Sequence, residues 1–180
     1  IDVENRTITI SDNGIGMTKD ELIDHLGTIA KSGSKEFQEK FNHDNVSPED
    51  EREIIGQFGV GFYSSYLVAD LVEVNTLSPY SDTSYRFTSD GIEEYSLENS
   101  NKTEVGTTIT LHLRENTEDI NYDEYLDQFT IKSLVKKYSD FIRYPIMMEC
   151  TTSMPKLDED GNETEEYVDT ISTETLNSMI

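Results

Sequence analysis

The chain has 180 residues, room for one domain of ordinary size. Its 14 Lys+Arg against 37 Asp+Glu give a net charge of −23, the wrong sign for a nucleic-acid backbone or an anionic membrane surface as partner. Hydrophobic residues make up 34%, below the ~45–50% of typical globular domains (a figure that also counts Gly), so a core can form but with little apolar surplus. The single cysteine, Cys150, has no internal disulfide partner, which points to a thiol-keeping, cytoplasmic compartment. No apolar run approaches the ~20 residues that cross a bilayer, and no basic-then-apolar opening reads as a signal peptide. A start at Ile1 and an end at Asn177-Ser178-Met179-Ile180 read as a piece of a longer protein.

In chain order, Asn5-Arg6 reads as a turn after a short first strand, and Thr7 to Ile10 alternates at period two as a strand. Asp12-Asn13-Gly14-Ile15-Gly16 is a tight polar loop. Thr18-Lys19-Asp20-Glu21 has the form of a capping box and predicts a helix with Leu22, Ile23 and Leu26 on one face, ended by Gly27. Residues 28 to 35 are small and flexible in type; a short helix is expected around Lys35 to Phe41, then a polar surface loop from Asn42 to Glu53. Gly56-Gln57-Phe58-Gly59-Val60-Gly61-Phe62 follows, leading into an apolar helix through Leu67 and Val68.

Four strands, near 71–74, 84–87, 94–97 and 107–113, read as a meander. Ile131, Leu134, Val135, Tyr138 and Ile142 recur at helical spacing, with Pro145 expected to stop that helix and a last strand near 146–151. Residues 151–180 hold eight acids and one base, Lys156. The expected division is a first domain over 1–150 and an acidic segment over 151–180, with Pro155 to Thr175 a charged linker or an exposed hairpin.

Three features come in order: a strand ending in Asp-Asn-Gly-x-Gly, a capped helix ending in a Gly/Ser/Lys loop, and a Gly-x-x-Gly-x-Gly loop opening a helix. Each alone is ordinary turn chemistry; together they suggest a nucleotide pocket. A buried carboxylate such as Asp12 can accept a hydrogen bond from the exocyclic amine of a base. Gly14 and Gly16 let the backbone approach a planar ring. The amides of Gly59, Val60, Gly61 and Phe62 at a helix start can meet phosphate oxygens, and Lys31 can add a point charge. Bland readings stand beside these: Asp12 as a local turn cap, Lys31 as a solvated loop lysine, Thr107 as a plain strand former, Phe62 and Val74 as core. No Walker loop or strong dinucleotide fingerprint occurs. His25, His43 and His112 lie on different predicted elements, so no metal cage is expected, and no nucleophilic triad is found.

These residues resemble the N-terminal ATP-binding domain of the heat-shock-protein-90 chaperones, within the wider group of gyrase, histidine-kinase and MutL ATPases. Asp12 to Met17 is similar to the group's adenine loop. Leu26 to Gly33 is similar to the start of the chaperone lid, and Ile55 to Tyr63 to its phosphate loop. Val135 to Ile142 resembles the last helix of that domain, and Thr175 to Met179 the entry to a middle domain. The short acidic linker favours the bacterial form.

The resemblance implies an α+β two-layer sandwich, with a mixed, mostly antiparallel sheet, helices on one face, and an N-terminal truncation. It implies that Asp12 binds the adenine amine, assisted by Gly16 and Thr107 through a water, and that Met17, Leu26, Phe62, Val74 and Ile109 line the base slot. Lys31 and Gly56, Gln57, Phe58, Gly59, Val60, Gly61 and Phe62 would hold phosphates, and residues 28 to 55 or so would form a lid over ATP with magnesium. The general-base Glu and the magnesium-holding Asn of the family sit on a helix preceding the adenine loop, so this chain is expected to lack both, and no catalytic residue is assigned. The implied parent is a cytoplasmic, dimeric, ATP-hydrolysing chaperone acting on client proteins. The alternatives are another ATPase of the same group and a non-catalytic protein-interaction fragment.

Overall fold

The computed structural model describes residues 1–27, 60–92, 94–157 and 162–179. These divide into two units, Ile1–Asp123 and Glu124–Ile180. The change of unit expected after Cys150 falls inside a strand of the second unit.

The first unit is built on a five-stranded sheet of order β1-β5-β2-β3-β4, comprising β1 (Thr7–Asp12), β2 (Ala69–Leu77), β3 (Tyr85–Ser89), β4 (Tyr95–Asn99) and β5 (Gly106–Leu113). Each of its four pairings is antiparallel. The α+β class holds, while the sheet is antiparallel throughout the described residues rather than mixed. Strands β2 to β4 do form a meander. β5 then departs from the expected pattern: it crosses back to the far side of β2 and separates it from β1. Side-chain size accounts for the order. β5 buries Leu111 and Leu113 and takes a central place, whereas β4, half-buried only at Leu97, is left at an edge.

Register turns the period-two pattern into rows across the sheet. Ile8, Leu111 and Val72 form one row, and Ile10, Ile109, Val74, Phe87 and Leu97 the next. The other face carries polar rows such as Ser11, Thr108, Asn75, Arg86 and Glu98. On the apolar face, Leu22, Ala69, Val72, Val74, Phe87 and Leu111 make the buried core.

Helix α1 (Lys19–Leu26) lies against that core through Leu22, which is fully buried. Its predicted capping box is present: the Thr18 hydroxyl accepts from the Glu21 N–H, and the Glu21 carboxylate accepts from the Thr18 N–H at 2.8 Å. Gly27 ends the helix with ordinary right-handed geometry (φ −80°). Beyond it the expected short helix at 35–41 and loop at 42–53 lie outside the described residues.

The apolar helix predicted through Leu67 and Val68 is instead a 3₁₀ helix, Phe62–Leu67. It packs Phe62 and Tyr66 on the core and leaves Leu67 exposed. Strand β2 begins at Ala69, directly after the cap residue Val68. Arg114 holds its end, donating from Nε and Nη2 to the Tyr66 carbonyl. At the N-terminus the predicted turn is present as a bridge between Asp2 and Thr7, with Arg6 at φ 52°.

The second unit contains helix α2 (Gln128–Tyr138) and an antiparallel hairpin of β6 (Met147–Leu157) and β7 (Glu163–Thr175). The hairpin is one of the two forms left open for residues 155–175. Asp127 caps α2 by accepting from the Thr130 N–H and hydroxyl. The helix ends at Tyr138, short of the expected Ile142 and Pro145, and Tyr138 is exposed. Tertiary bonds account for the early stop. The Asp140 carbonyl accepts from Ser178 and Met179 N–H, and buried Asn177 donates to the Ile142 and Tyr144 carbonyls.

Candidate functional site

A third row completes the covered face of the sheet. Asp12 pairs with Thr107, and Thr107 with Thr76, so the last residues of β1 and β2 flank the start of β5. The row continues the apolar rows in register but is polar, so the apolar floor gives way to hydrogen-bonding groups at one end of the sheet. Thr76 is fully buried, and Thr107 nearly so.

The row is tightly bonded. Asp12 Oδ1 accepts from the Gly14 N–H at 2.8 Å and the Thr107 N–H at 3.3 Å. Thr76 Oγ1 accepts from the Met17 N–H at 2.9 Å and lies 3.1 Å from Thr107 Oγ1 and 3.2 Å from the Gly106 carbonyl oxygen. Two glycines make this closeness possible. At Gly16 (φ +63°) an added Cβ would stand 2.0 Å from the Leu77 carbonyl oxygen, and at Gly106 (φ +127°) 2.2 Å from that of Asp12. The loop after β1 is thereby pressed onto the ends of β2 and β5.

Asp12 is exposed, not buried as the sequence reading had it. It sits at the end of edge strand β1, whose Ile10 is also 59% exposed although it belongs to the apolar face. Its carboxylate is nevertheless held by Oδ1, and Oδ2 makes no hydrogen bond among the described residues. Met17, Leu26, Phe62, Val74 and Ile109, expected to line a base slot, all join the one core cluster. The Tyr63 hydroxyl donates to the Leu26 carbonyl at 3.0 Å, tying the 3₁₀ helix to the end of α1.

Of the expected phosphate loop, Val60 and Gly61 are exposed and Phe62 half-buried. Gly61 opens the 3₁₀ helix, and nothing lies within 4 Å of a Cβ built there. Lys31, Gly56, Gln57, Phe58 and Gly59 lie outside the described residues, as does the lid.

The sequence reading missed Thr76 and Gly106. Thr76 had a signal: it continues the buried alternation of Val72 and Val74 as a hydroxyl in an apolar register. Gly106 became meaningful only once β5 lay beside β1.

The donor set fits an adenine-type base: a carboxylate oxygen fixed by two amides, a second oxygen open to an amine, buried hydroxyls alongside, and apolar side chains along the floor. For a metal, no group of three or more His, Cys, Asp or Glu side chains that could hold an ion occurs among the described residues.

Residues 1–123 match the family model described as histidine kinase-, DNA gyrase B-, and HSP90-like ATPase, and residues 124–178 match the Hsp90 protein model. The boundary between the two matches coincides with the division between the structural units. The chain is 51% identical over 179 residues to the chaperone protein HtpG of Shouchella clausii, covering 99% of this chain and 27% of that protein. It is 52% identical over 179 residues to the HtpG of Clostridium acetobutylicum and 49% identical over 179 residues to that of Bacillus subtilis, with the same coverage. The chain therefore spans about a quarter of the length of these relatives. With the two models matching in sequence along residues 1–178, the chain belongs to the Hsp90 family, within the wider group of histidine kinase-, DNA gyrase B-, and HSP90-like ATPases.

Proposed function

We propose that this chain carries the adenine-binding part of an ATP-hydrolysing chaperone. The observation that carries the reading is the clamp on Asp12: Oδ1 accepts from two backbone amides, and Oδ2 is left to accept from a base amine. The base lies along Met17, Leu26, Val74 and Ile109, with Gly16 and Thr107 at its polar edge. A water held by Thr107 and the Gly16 backbone completes the recognition. Lys31 and the Gly56–Phe62 loop hold the phosphates, and the 28–55 segment closes over them. Magnesium, when it accompanies the nucleotide, neutralises phosphate charge. Hydrolysis belongs to the whole protein: a positioned general base contributes roughly 10²–10⁴-fold, and no motif of this chain supplies one. Client binding, dimerisation and a cytoplasmic location are likewise proposed for the whole protein; no helix of the described residues is long and apolar enough to cross a membrane.

The test is calorimetric titration with ADP and magnesium, with Asp12→Asn as control. Asn offers an amide where the amine needs an acceptor, and its bonds to the two backbone amides are weaker. Saturable heat in the wild type, lost in the variant, supports the reading. Absence of heat in both leaves a non-catalytic interaction fragment as the better account of this piece. The match to the Hsp90 model over 124–178 weighs against a gyrase- or repair-type ATPase.

A further inference from the structure

The two edges of the β6–β7 hairpin are not equivalent. The Gln128 side chain donates to the Thr151 carbonyl at 2.8 Å and accepts from its N–H at 2.9 Å, so the Thr151 backbone points away from β7. The Thr151–Ile171 pair is thus a non-hydrogen-bonded one, and antiparallel pairing alternates. The outward N–H and C=O groups of β7 are then those of Tyr167, Asp169, Ile171 and Thr173. Pro155, which has no N–H to give, stands opposite Tyr167 and agrees with this phase. On β6 the edge is closed by Gln128 and broken by Pro155. On β7 it carries neither Pro, Lys nor Arg, the usual guards of a free edge. Among the described residues no group bonds to those outward positions.

The chemistry of that edge is one-sided. β7 carries Glu163, Glu165, Glu166, Asp169 and Glu174 and no cation. Lys156 pairs with Glu166 and Lys132 with Glu174, which leaves Glu163, Glu165 and Asp169 without an ion pair among the described residues. Buried Cys150 lies across from Ser172, and Glu174 reaches Lys132, so that face turns to α2. The opposite face presents Tyr167 and Ile171, both about two-thirds exposed, on either side of Asp169.

We propose that β7 accepts an extended, basic segment of another polypeptide as a third strand. The outward amides and carbonyls bind its main chain, Asp169 takes a Lys or Arg, and Tyr167 and Ile171 take the apolar residues flanking that cation. A second copy is disfavoured as the occupant, since two copies of β7 bring together strands that each carry five acids and no cation, from chains of net charge −23. None of this depends on the nucleotide reading.

The test is fluorescence anisotropy on the whole chain with a labelled, end-blocked peptide of about nine residues, the span from Tyr167 to Thr175, with a central Lys, a Val two residues to either side of it on the same face, and Thr elsewhere. A matched peptide with Glu for Lys is the control. Expected are saturable binding of the Lys peptide and none of the Glu peptide. Thr173→Pro removes an outward N–H without breaking the ladder to β6, and should weaken binding by about tenfold or more. Asp169→Lys should lower affinity for the Lys peptide and raise it for the Glu peptide. Circular dichroism of both variants checks that the hairpin persists. No saturable binding, equal binding of the two peptides, or indifference to both substitutions overturns the proposal. So does self-association in sedimentation velocity that Thr173→Pro abolishes, which would make a second copy the occupant.

Discussion

Gly16 and Gly61 sit in two similar-looking glycine loops, yet their positions demand different things. Gly16 is in the left-handed region and faces the Leu77 carbonyl, while Gly61 has φ −60° and open space around it. Gly16→Ala should lose about 1–3 kcal/mol from conformation alone, before the overlap with Leu77. Gly61→Ala should be neutral, or stabilise by about 0.4–1 kcal/mol through the unfolded state. Urea unfolding followed by circular dichroism reads both, since the chain has no Trp. Thr76 offers a parallel test inside the row. Thr76→Val keeps the shape but strips the Met17 N–H of its acceptor, and should destabilise the first unit by about 1–3 kcal/mol. These roles were unequally legible. A glycine at position 16 was readable as a close approach because it follows a strand end and an Asp. The partner it approaches, β2, is some sixty residues on and not visible in local pattern. The exposure of Asp12 was misread for a related reason: carboxylate chemistry says what a buried acid can do, and edge position decides whether it is buried.

Local signals were strongest where a whole element forms from neighbours alone. The capping box at Thr18 specified the start of α1 because both of its bonds lie within four residues. The 3₁₀ segment and the early end of α2 were not specified in this way. Apolar spacing cannot tell an α-helix from a tighter turn held by Arg114, nor foresee that Ser178 and Met179 bond to Asp140. The local cap at the start of α2 and the contacts after its end make it sensitive to acid. Hydrogen bonds from the Thr130 N–H and hydroxyl hold the Asp127 carboxyl below the ordinary aspartate value of 3.8. Lys136 first, then Ser178, do the same for Asp140. Both groups favour the charged form when folded, so on acidification the unfolded chain takes up the protons first. Their contribution is complete above the unfolded value and is lost as pH falls below about 3.8 through the folded values. Acid unfolding followed by circular dichroism should show the loss. Asp127→Asn, which still caps but does not titrate, should make the dependence shallower.

At the scale of the molecule, the net charge of −23 is a field that the ion pairs among the described residues offset only in part. Raising salt from ~0.01 M to ~0.1 M shortens the screening length from ~30 Å to ~10 Å, so the thermal midpoint should rise with sodium chloride. A midpoint that falls would mean that specific ion pairs such as Lys132–Glu174 outweigh the general repulsion. Sequence by itself determined the elements that short-range chemistry writes: β1, the capped α1, the strands near 71–113, and the motif order that pointed to a nucleotide site. Period-two alternation and capping act within a few residues, so they survive without knowledge of neighbours. Tertiary structure alone decided that β5 returns between β1 and β2, because strand order depends on which side chains fill the shared core. That one choice lines up Asp12, Thr107 and Thr76 and leaves β1 at an edge. It likewise decided that, among the described residues, a glutamine side chain from α2 closes the β6 edge already broken by Pro155, while the β7 edge stays open.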